Sequence, residues 1–379
     1  MKNGKEYYFY RLKHPMLNRP RDLYGKTVKE LDDKVKKLKH SLDYGVKQNK
    51  NSFGEYFKNW LFNIHFLSIK ESSQNTYYSL YENHIKDSSM SNVELQDLSG
   101  IDFQNYINIL SKNKVPVSTI TNIYKLIKPS ITYAYNNNLI LKDFSSSIVL
   151  PKEKESIKRM KNNKQKSFTS KQQELFVETI KGNKHEALFL TALYTGIRQG
   201  ELLALTWDDI NLDEQYIDVN KNVVKIKSVD ANKKSSYYYK VQTPKTLSSI
   251  RRVFFPKILI EPLKALKEKQ EERKYLLKDE YNTDLNLVFC NSKGYYLDAG
   301  NVRKKFKVVA IEIGAPDVSF HSMRHAYASR LFENKVKDKT VQKLLGHSNI
   351  STTLNIYTHV QENVLKDAVN TFEKGNKNI

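Results

Sequence analysis

The chain has 379 residues, 39% of them hydrophobic and 27% charged, which is enough for two or three domains with cores of their own. Its 63 Lys and Arg stand against 41 Asp and Glu, a formal net charge of +22, and an excess of that size points to a polyanionic partner, nucleic acid before membrane. No apolar run approaches the ~20 residues of a membrane helix, MKNGKEYYFYRLK has no apolar signal core, and one cysteine, Cys290, permits no intrachain disulfide; a cytoplasmic protein is expected.

In chain order, EYYFYRLKHP offers strand-forming aromatics, RDLYGK carries a turn, and TVKELDDKVKKLKHSL has the spacing of a short amphipathic helix. Residues 1–50 therefore read as a small β-plus-helix unit, marginal alone and easier to keep folded when bound. A loose basic arm is the competing view. From 51 to 150, NSFGEYFKNWLFNI, KESSQNTYYSLYENHI, SGIDFQNYINILS and VSTITNIYKLIKPSITYAYNNNLI place apolar residues at helical intervals, with Ser or Asp at several starts. An all-helical domain is predicted there. PKEKESIKRMKNNKQKSFTSK, residues 151–171, has eight Lys and Arg against two Glu and almost nothing apolar. It cannot build a core, so residues 151–166 read as a basic linker of the kind that tracks a phosphate backbone.

Residues 167–379 form the last domain. SKQQELFVETIKG and HEALFLTALYTG are predicted helices, and GELLALTWDDINLDEQYIDVNKNVVKIKS passes from helix into strands. SSYYYKVQTPKTLSSIRRVFFP alternates like a β-hairpin with a long polar turn before it, and IEPLKALKEKQEERKYLL is a charged amphipathic helix. Cys290, in LVFCNSKG, suits a small buried residue at a strand end. The remainder is helical.

The residues with chemistry to offer crowd together near the end. Phe320–Val360 holds four His, two Arg and two Tyr in 41 residues. HSMRH opening a helix puts His321, Arg324 and His325 at i, i+3 and i+4, on one face. DKTVQKLL ends at Gly346, suited to a left-handed cap, so that His347 projects from a fixed turn. ISTTLNIYTHV starts another helix, with Ser351 or Thr352 as cap and Tyr357 two turns on. Upstream, LYTGIRQGELLALTWDDI sets Arg198 where a turn enters a helix, a natural phosphate site. Each residue also has an ordinary explanation. Tyr357 is one of 24 tyrosines, and Arg198 could simply pair with Glu201 at i+3. His321 and His325 have zinc spacing, but the HExxH glutamate and a third ligand are missing. No metal or other cofactor is expected.

Together the boxes say more. TGIRQGELLALTWDDI, TPKTLSSIRRV, FHSMRHAYASRL and LLGHSNISTTLNIYTHV, in that order, resemble the tyrosine recombinase (phage integrase) family across about residues 165–370. The helical 51–150 segment resembles the family's core-binding domain, and residues 1–50 its arm-type DNA-binding domain. The resemblance implies a multidomain fold: a small β+α unit, an all-α core-binding domain, and a mainly α catalytic domain with a small antiparallel β-sheet. It implies a site-specific recombinase of a mobile element, with Tyr357 as nucleophile forming a 3′-phosphotyrosyl link. Arg198 and Arg324 would hold the non-bridging oxygens and His347 would donate to the same phosphate. His321 would help to take the tyrosine proton, Lys245 would protonate the leaving 5′ oxygen, and Glu201 would support. Lys240 is the alternative lysine. The polar 228–240 stretch is either a β-insertion contacting DNA or neighbours, or a solvated loop.

The partners implied are duplex DNA attachment sites, a homotetramer on DNA, an excision (directionality) factor and a DNA-bending host protein. The tail QENVLKDAVNTFEKGNKNI, with Val364, Leu365, Ala368, Val369 and Phe372 on one face, is an amphipathic helix that docks in trans or in cis. The alternatives are a chromosome-dimer resolvase of the same family, a catalytically silent DNA-binding regulator, and a zinc hydrolase.

Overall fold

The computed structural model describes residues 6–46, 51–153, 167–229, 235–243 and 250–357. The basic linker beyond Glu153, residues 230–234 of the polar stretch, Lys245 and the tail after Tyr357 lie outside them. The chain divides into two compact units, Met1–Lys158 and Arg159–Ile379.

In the first unit, β1 (Tyr8–Leu12) pairs antiparallel with β2 (Arg21–Gly25), Tyr8 opposite Gly25. RDLYG is thus a strand, where the sequence reading had a turn. Its Leu23 packs toward Leu12, Leu38 and Leu42 while its polar neighbours face water, an alternation that outweighs the turn propensity of Asp and Gly. Helix α1 (Val28–Asp43), capped by Thr27, lays Leu38 and Leu42 on this ribbon. Four helices follow: α2 (Phe53–Asn63), α3 (Glu71–Leu80), α4 (Gly100–Lys112) and α5 (Val117–Asn136). Capping boxes at Ser52/Glu55 and Ser99/Asp102 fix where α2 and α4 begin. Phe53, Phe57, Leu61, Phe103, Ile107 and Ile127 fill their shared core.

The second unit is built around α7 (Glu186–Thr195), which is apolar nearly all round and accordingly buried on every side. Helix α6 (Ser170–Thr179) precedes it, and the single turn α8 (Gln199–Leu202) follows. Rings of Phe176, Phe189, Phe306 and Phe320 pack edge and face within the main core. Strands β3 (Ile210–Asn211), β4 (Tyr216–Val219) and β7 (Arg251–Phe254) form one antiparallel sheet, while β5 (Asn222–Val229) and β6 (Ser235–Gln242) form a separate hairpin. The expected pairing of SSYYYK with IRRVFFP therefore does not occur. β6 turns back on β5, Lys240 opposite Val224, and β7 lies on β4, Val253 opposite Ile217. Burial decides this. Val253 and Ile217 are fully enclosed, and pairing on β4 sets the two side by side in the main core.

Helices α9 (Ile260–Leu277), α10 (Ala299–Glu312), α11 (Ser322–Glu333), α12 (Asp338–Leu345) and α13 (Ile350–Tyr357) complete the unit. The last three share a small core of their own, Ala328, Phe332, Val341 and Leu345. Helix α13 starts at Ile350, before Ser351 and Thr352, and Asn349 Oδ1 accepts from the Ser351 amide at 2.9 Å. Asparagine two residues upstream does the capping that the sequence reading gave to Ser351 or Thr352. Cys290 is half-buried rather than enclosed, with Gln270 Nε2 at 3.3 Å and the Tyr281 hydroxyl at 3.4 Å from its sulfur.

Candidate active site

The carboxyl end of α12 organises the site. A helix ends with carbonyls that have no intrahelical partner and a partial negative charge that favours cations. Here three consecutive carbonyls each receive a different guanidinium. Arg251 Nε donates to Leu344 O at 2.8 Å, Arg324 Nη2 to Leu345 O, and Arg198 Nη2 to Gly346 O at 3.1 Å. Gly346 closes the helix in the left-handed region, φ +65°, and so turns its carbonyl toward Arg198. His347 follows on the same turn.

Glu201 is the counter-charge. Its carboxylate is buried, with Oε1 accepting from Arg198 Nη1 at 2.9 Å and Oε2 from Arg251 Nη2 at 3.0 Å. Oε2 also takes the Arg198 backbone N–H at 3.1 Å, which caps α8. Burial pushes this carboxyl up, but Arg251 and then Arg198 outweigh it and leave it below the ordinary carboxylate value. One carboxylate thus serves two arginines, and a third, Arg324, donates to Gly196 O at 2.7 Å from within the fold. Burial, then Arg198 and Arg251, pull the Arg324 guanidinium down to about 9, still protonated at neutral pH. The cluster carries a net positive charge on a surface where Arg198 remains about one-third exposed.

Two histidines border it. His347 Nδ1 lies 2.8 Å from the hydroxyl of fully buried Thr353 on α13. Desolvation, then Arg324 and Arg198, pull its imidazole down to about 4. His321, at the start of α11, is exposed and stands edge-on to His325, ring centroids 5.1 Å apart. Partial desolvation, then Arg324 and Arg198, hold it below the ordinary value.

Five of the seven residues singled out from sequence, Arg198, Glu201, His321, Arg324 and His347, are thereby brought around one turn. Tyr357 is the last residue of α13, a helix packed on both α11 and α12; its side chain lies outside the described residues. Lys245 does too, between β6 and β7. Lys240 stands exposed on β6. Tyr327, the neighbouring tyrosine on α11, packs beneath Gly196 and against the small α11–α12 core. Among the described residues no three His, Cys, Asp or Glu side chains gather as a metal site would require.

Sequence reasoning missed Arg251. It sits inside the box TPKTLSSIRRV, and strand alternation supplies the signal: it shares a face with enclosed Val253, whereas Arg252 turns outward to Asp218. An arginine on the buried face of a strand needs a buried partner.

A surface that gathers guanidiniums and imidazoles beside a helix ending in tyrosine is suited to a phosphodiester substrate. Residues 166–363 match the Phage integrase family, and residues 52–111 match the phage integrase N-terminal SAM-like domain. The chain is 34% identical to a tyrosine recombinase XerC-like protein of Caldanaerobacter subterraneus subsp. tengcongensis, over 98% of this chain and 97% of that protein. It is 24% identical to the ICEBs1 integrase of Bacillus subtilis, over 81% of this chain and 80% of the relative. Its fold is shared by the Tn1549 transposon integrase solved with a circular intermediate DNA (TM-score 0.65, 18% identity, 85% of this chain and 99% of that one). It is shared also by a lambda integrase dimer bound to a COC′ core site (TM-score 0.53, 15% identity, 94% and 96%). The chain belongs to the phage integrase family, the tyrosine-type site-specific DNA recombinases.

Proposed function

We propose that this recombinase integrates and excises a mobile element by cutting and rejoining duplex DNA at attachment sites. The observation that carries the reading is the row of arginines on the carboxyl end of α12, with His347 on the same turn and Tyr357 closing the next helix. The Tyr357 oxygen attacks the scissile phosphorus, a P–O bond to tyrosine forms, and the bond to the 5′ oxygen breaks. The bond energy is kept in the phosphotyrosine, so rejoining needs no nucleotide. Arg198 and Arg324 receive the non-bridging oxygens, for which planar forks are suited. His347 is neutral at physiological pH and donates a hydrogen bond from Nε2, the tautomer favoured when Thr353 donates to Nδ1. His321 assists removal of the tyrosine proton, Lys245 supplies one to the leaving 5′ oxygen, and Glu201 holds Arg198 in place.

Residues 1–50 bind arm-type DNA, 51–150 bind the core site, 151–166 link, and 167–379 carry the chemistry. The enzyme assembles as a homotetramer on DNA in the bacterial cytoplasm, with an excision factor and a DNA-bending host protein as partners. The Tn1549 relative, solved on DNA of a transposon intermediate, supports the mobile-element reading. A second reading, a chromosome-dimer resolvase, draws on the XerC-like name of one relative. Attachment sites flanking the gene decide between them.

Replacing Tyr357 with Phe tests the chemistry. Half-site binding is expected to be unchanged while covalent adduct on nicked suicide substrates disappears. An adduct that survives would move the nucleophile to another tyrosine.

A further inference from the structure

We propose that Arg251 is a positioning residue for strand cleavage: it shares Glu201 with Arg198 and thereby keeps Arg198 aimed at the phosphate. The proposal rests on Arg198 holding the scissile phosphate, as argued above.

Arg251 opens β7 with its side chain 5% exposed and its Nε and Nη2 committed to partners within the fold. A buried guanidinium is costly unless paired and hydrogen-bonded, and here both conditions are met by groups that also hold Arg198. Arg251 Nη2 donates to Glu201 Oε2 and its Nε to Leu344 O. Arg198 uses Glu201 Oε1 and Gly346 O. The two arginines thus close a ring through the same carboxylate and the same helix end. The Arg251 side chain also packs against Gly346, where a Cβ would meet Arg251 Cδ, Nη1 and Nε at 3.0–3.2 Å.

The charge balance gives the ring its purpose. One carboxylate between two guanidiniums leaves a positive charge for the substrate. Without Arg251, Glu201 would face Arg198 alone as a neutral pair, and the fork would be drawn toward the carboxylate instead of the phosphate. Lysine cannot stand in, because a single ammonium does not reproduce the planar fork that reaches both acceptors.

The test compares Arg251→Met, Arg251→Lys, Arg198→Ala and the Arg251→Met/Arg198→Ala double variant of the full chain. Half-site affinity, thermal unfolding and single-turnover cleavage of a suicide substrate at saturating protein are measured. Arg251→Met is expected to bind a half-site within about threefold of the parent and to cleave about 100-fold more slowly, the scale of a misplaced catalytic group. Arg251→Lys should recover only part of the rate. In the Arg198→Ala background, Arg251→Met should cost less than about threefold, because groups that act through one another are not additive. Losses that multiply, or a bound Arg251→Met complex cleaving at the parental rate, would overturn the proposal. If Arg251→Met does not fold, Arg251→Lys carries the same comparison against Arg198→Ala. Parental cleavage by Arg198→Ala itself would instead remove Arg198 from the chemistry, a failure of the underlying reading.

Discussion

His347 is the residue whose chemistry depends most on its surroundings. Its imidazole is ordinarily half-protonated near 6.5, and in the fold that midpoint drops to about 4. Above 6.5 the ring is neutral in both folded and unfolded chains, so it contributes no pH dependence there. Between 6.5 and about 4 the unfolded chain takes up a proton that the folded one refuses, so folding stability is lost as the pH is lowered across that window. Histidine NMR of the DNA-free protein should therefore find His347 neutral at pH 6. A midpoint at or above 6.5 would contradict the burial of the ring beside Arg324 and Arg198. Thr353→Val keeps the shape of the buried side chain but removes the partner of Nδ1. It is expected to destabilise the fold by about 1 kcal/mol and to slow cleavage with half-site binding intact, because the Nε2 tautomer is no longer enforced. Unchanged cleavage would mean that another group sets the tautomer.

At the scale of elements, helix α12 connects the site to the small core beneath it, and its terminal glycine is where both meet. Gly346→Ala imposes a left-handed residue on an L side chain, roughly 1–2 kcal/mol, and also presses a Cβ against Arg251. Gly182 provides the control: its φ is +72° but nothing lies within 4 Å of the added Cβ. Gly182→Ala is expected to lower stability alone, as read by urea unfolding, whereas Gly346→Ala should lower stability and slow cleavage of bound DNA as well. Equal cleavage by the two would separate α12's cap from the chemistry. This helix and its cap were legible from DKTVQKLLG because both signals are local: apolar spacing, then glycine. The pairing of β7 was not, since its partner β4 lies 32 residues upstream of it, Val219 to Arg251, and both flanking segments alternate equally well. Arg198, Arg324 and His347 were legible through their boxes, yet nothing in the spacing states that the two arginines meet on successive carbonyls beside His347. That depends on three elements converging, and so Arg251, although inside the box TPKTLSSIRRV, stayed hidden in a strand.

The whole molecule is a cation assembled in sections. Residues 1–50 hold fourteen Lys and Arg against six Asp and Glu, so they supply +8 of the net +22. Their fold has its own small core, Leu12, Leu38 and Leu42, distinct from that of α2–α5. A cut before Asn51 spares both the hydrogen bond that the Leu95 N–H donates to the Asn51 carbonyl and the Ser52 cap of α2. The remaining chain should therefore fold and still cleave a core site. Binding that neutralises phosphates releases counterions, so the logarithm of affinity falls with the logarithm of salt in proportion to the phosphates engaged. Two slopes are then expected. On a full attachment site, deletion of residues 1–50 should flatten the salt dependence and weaken assembly; on a core-only duplex it should change neither by much. The comparison works because the same protein pair is read on two DNAs, which cancels any general loss of charge. If the intact chain already binds full and core-only DNA equally at every salt concentration, residues 1–50 have no DNA of their own to bind, and their charge serves the core site instead.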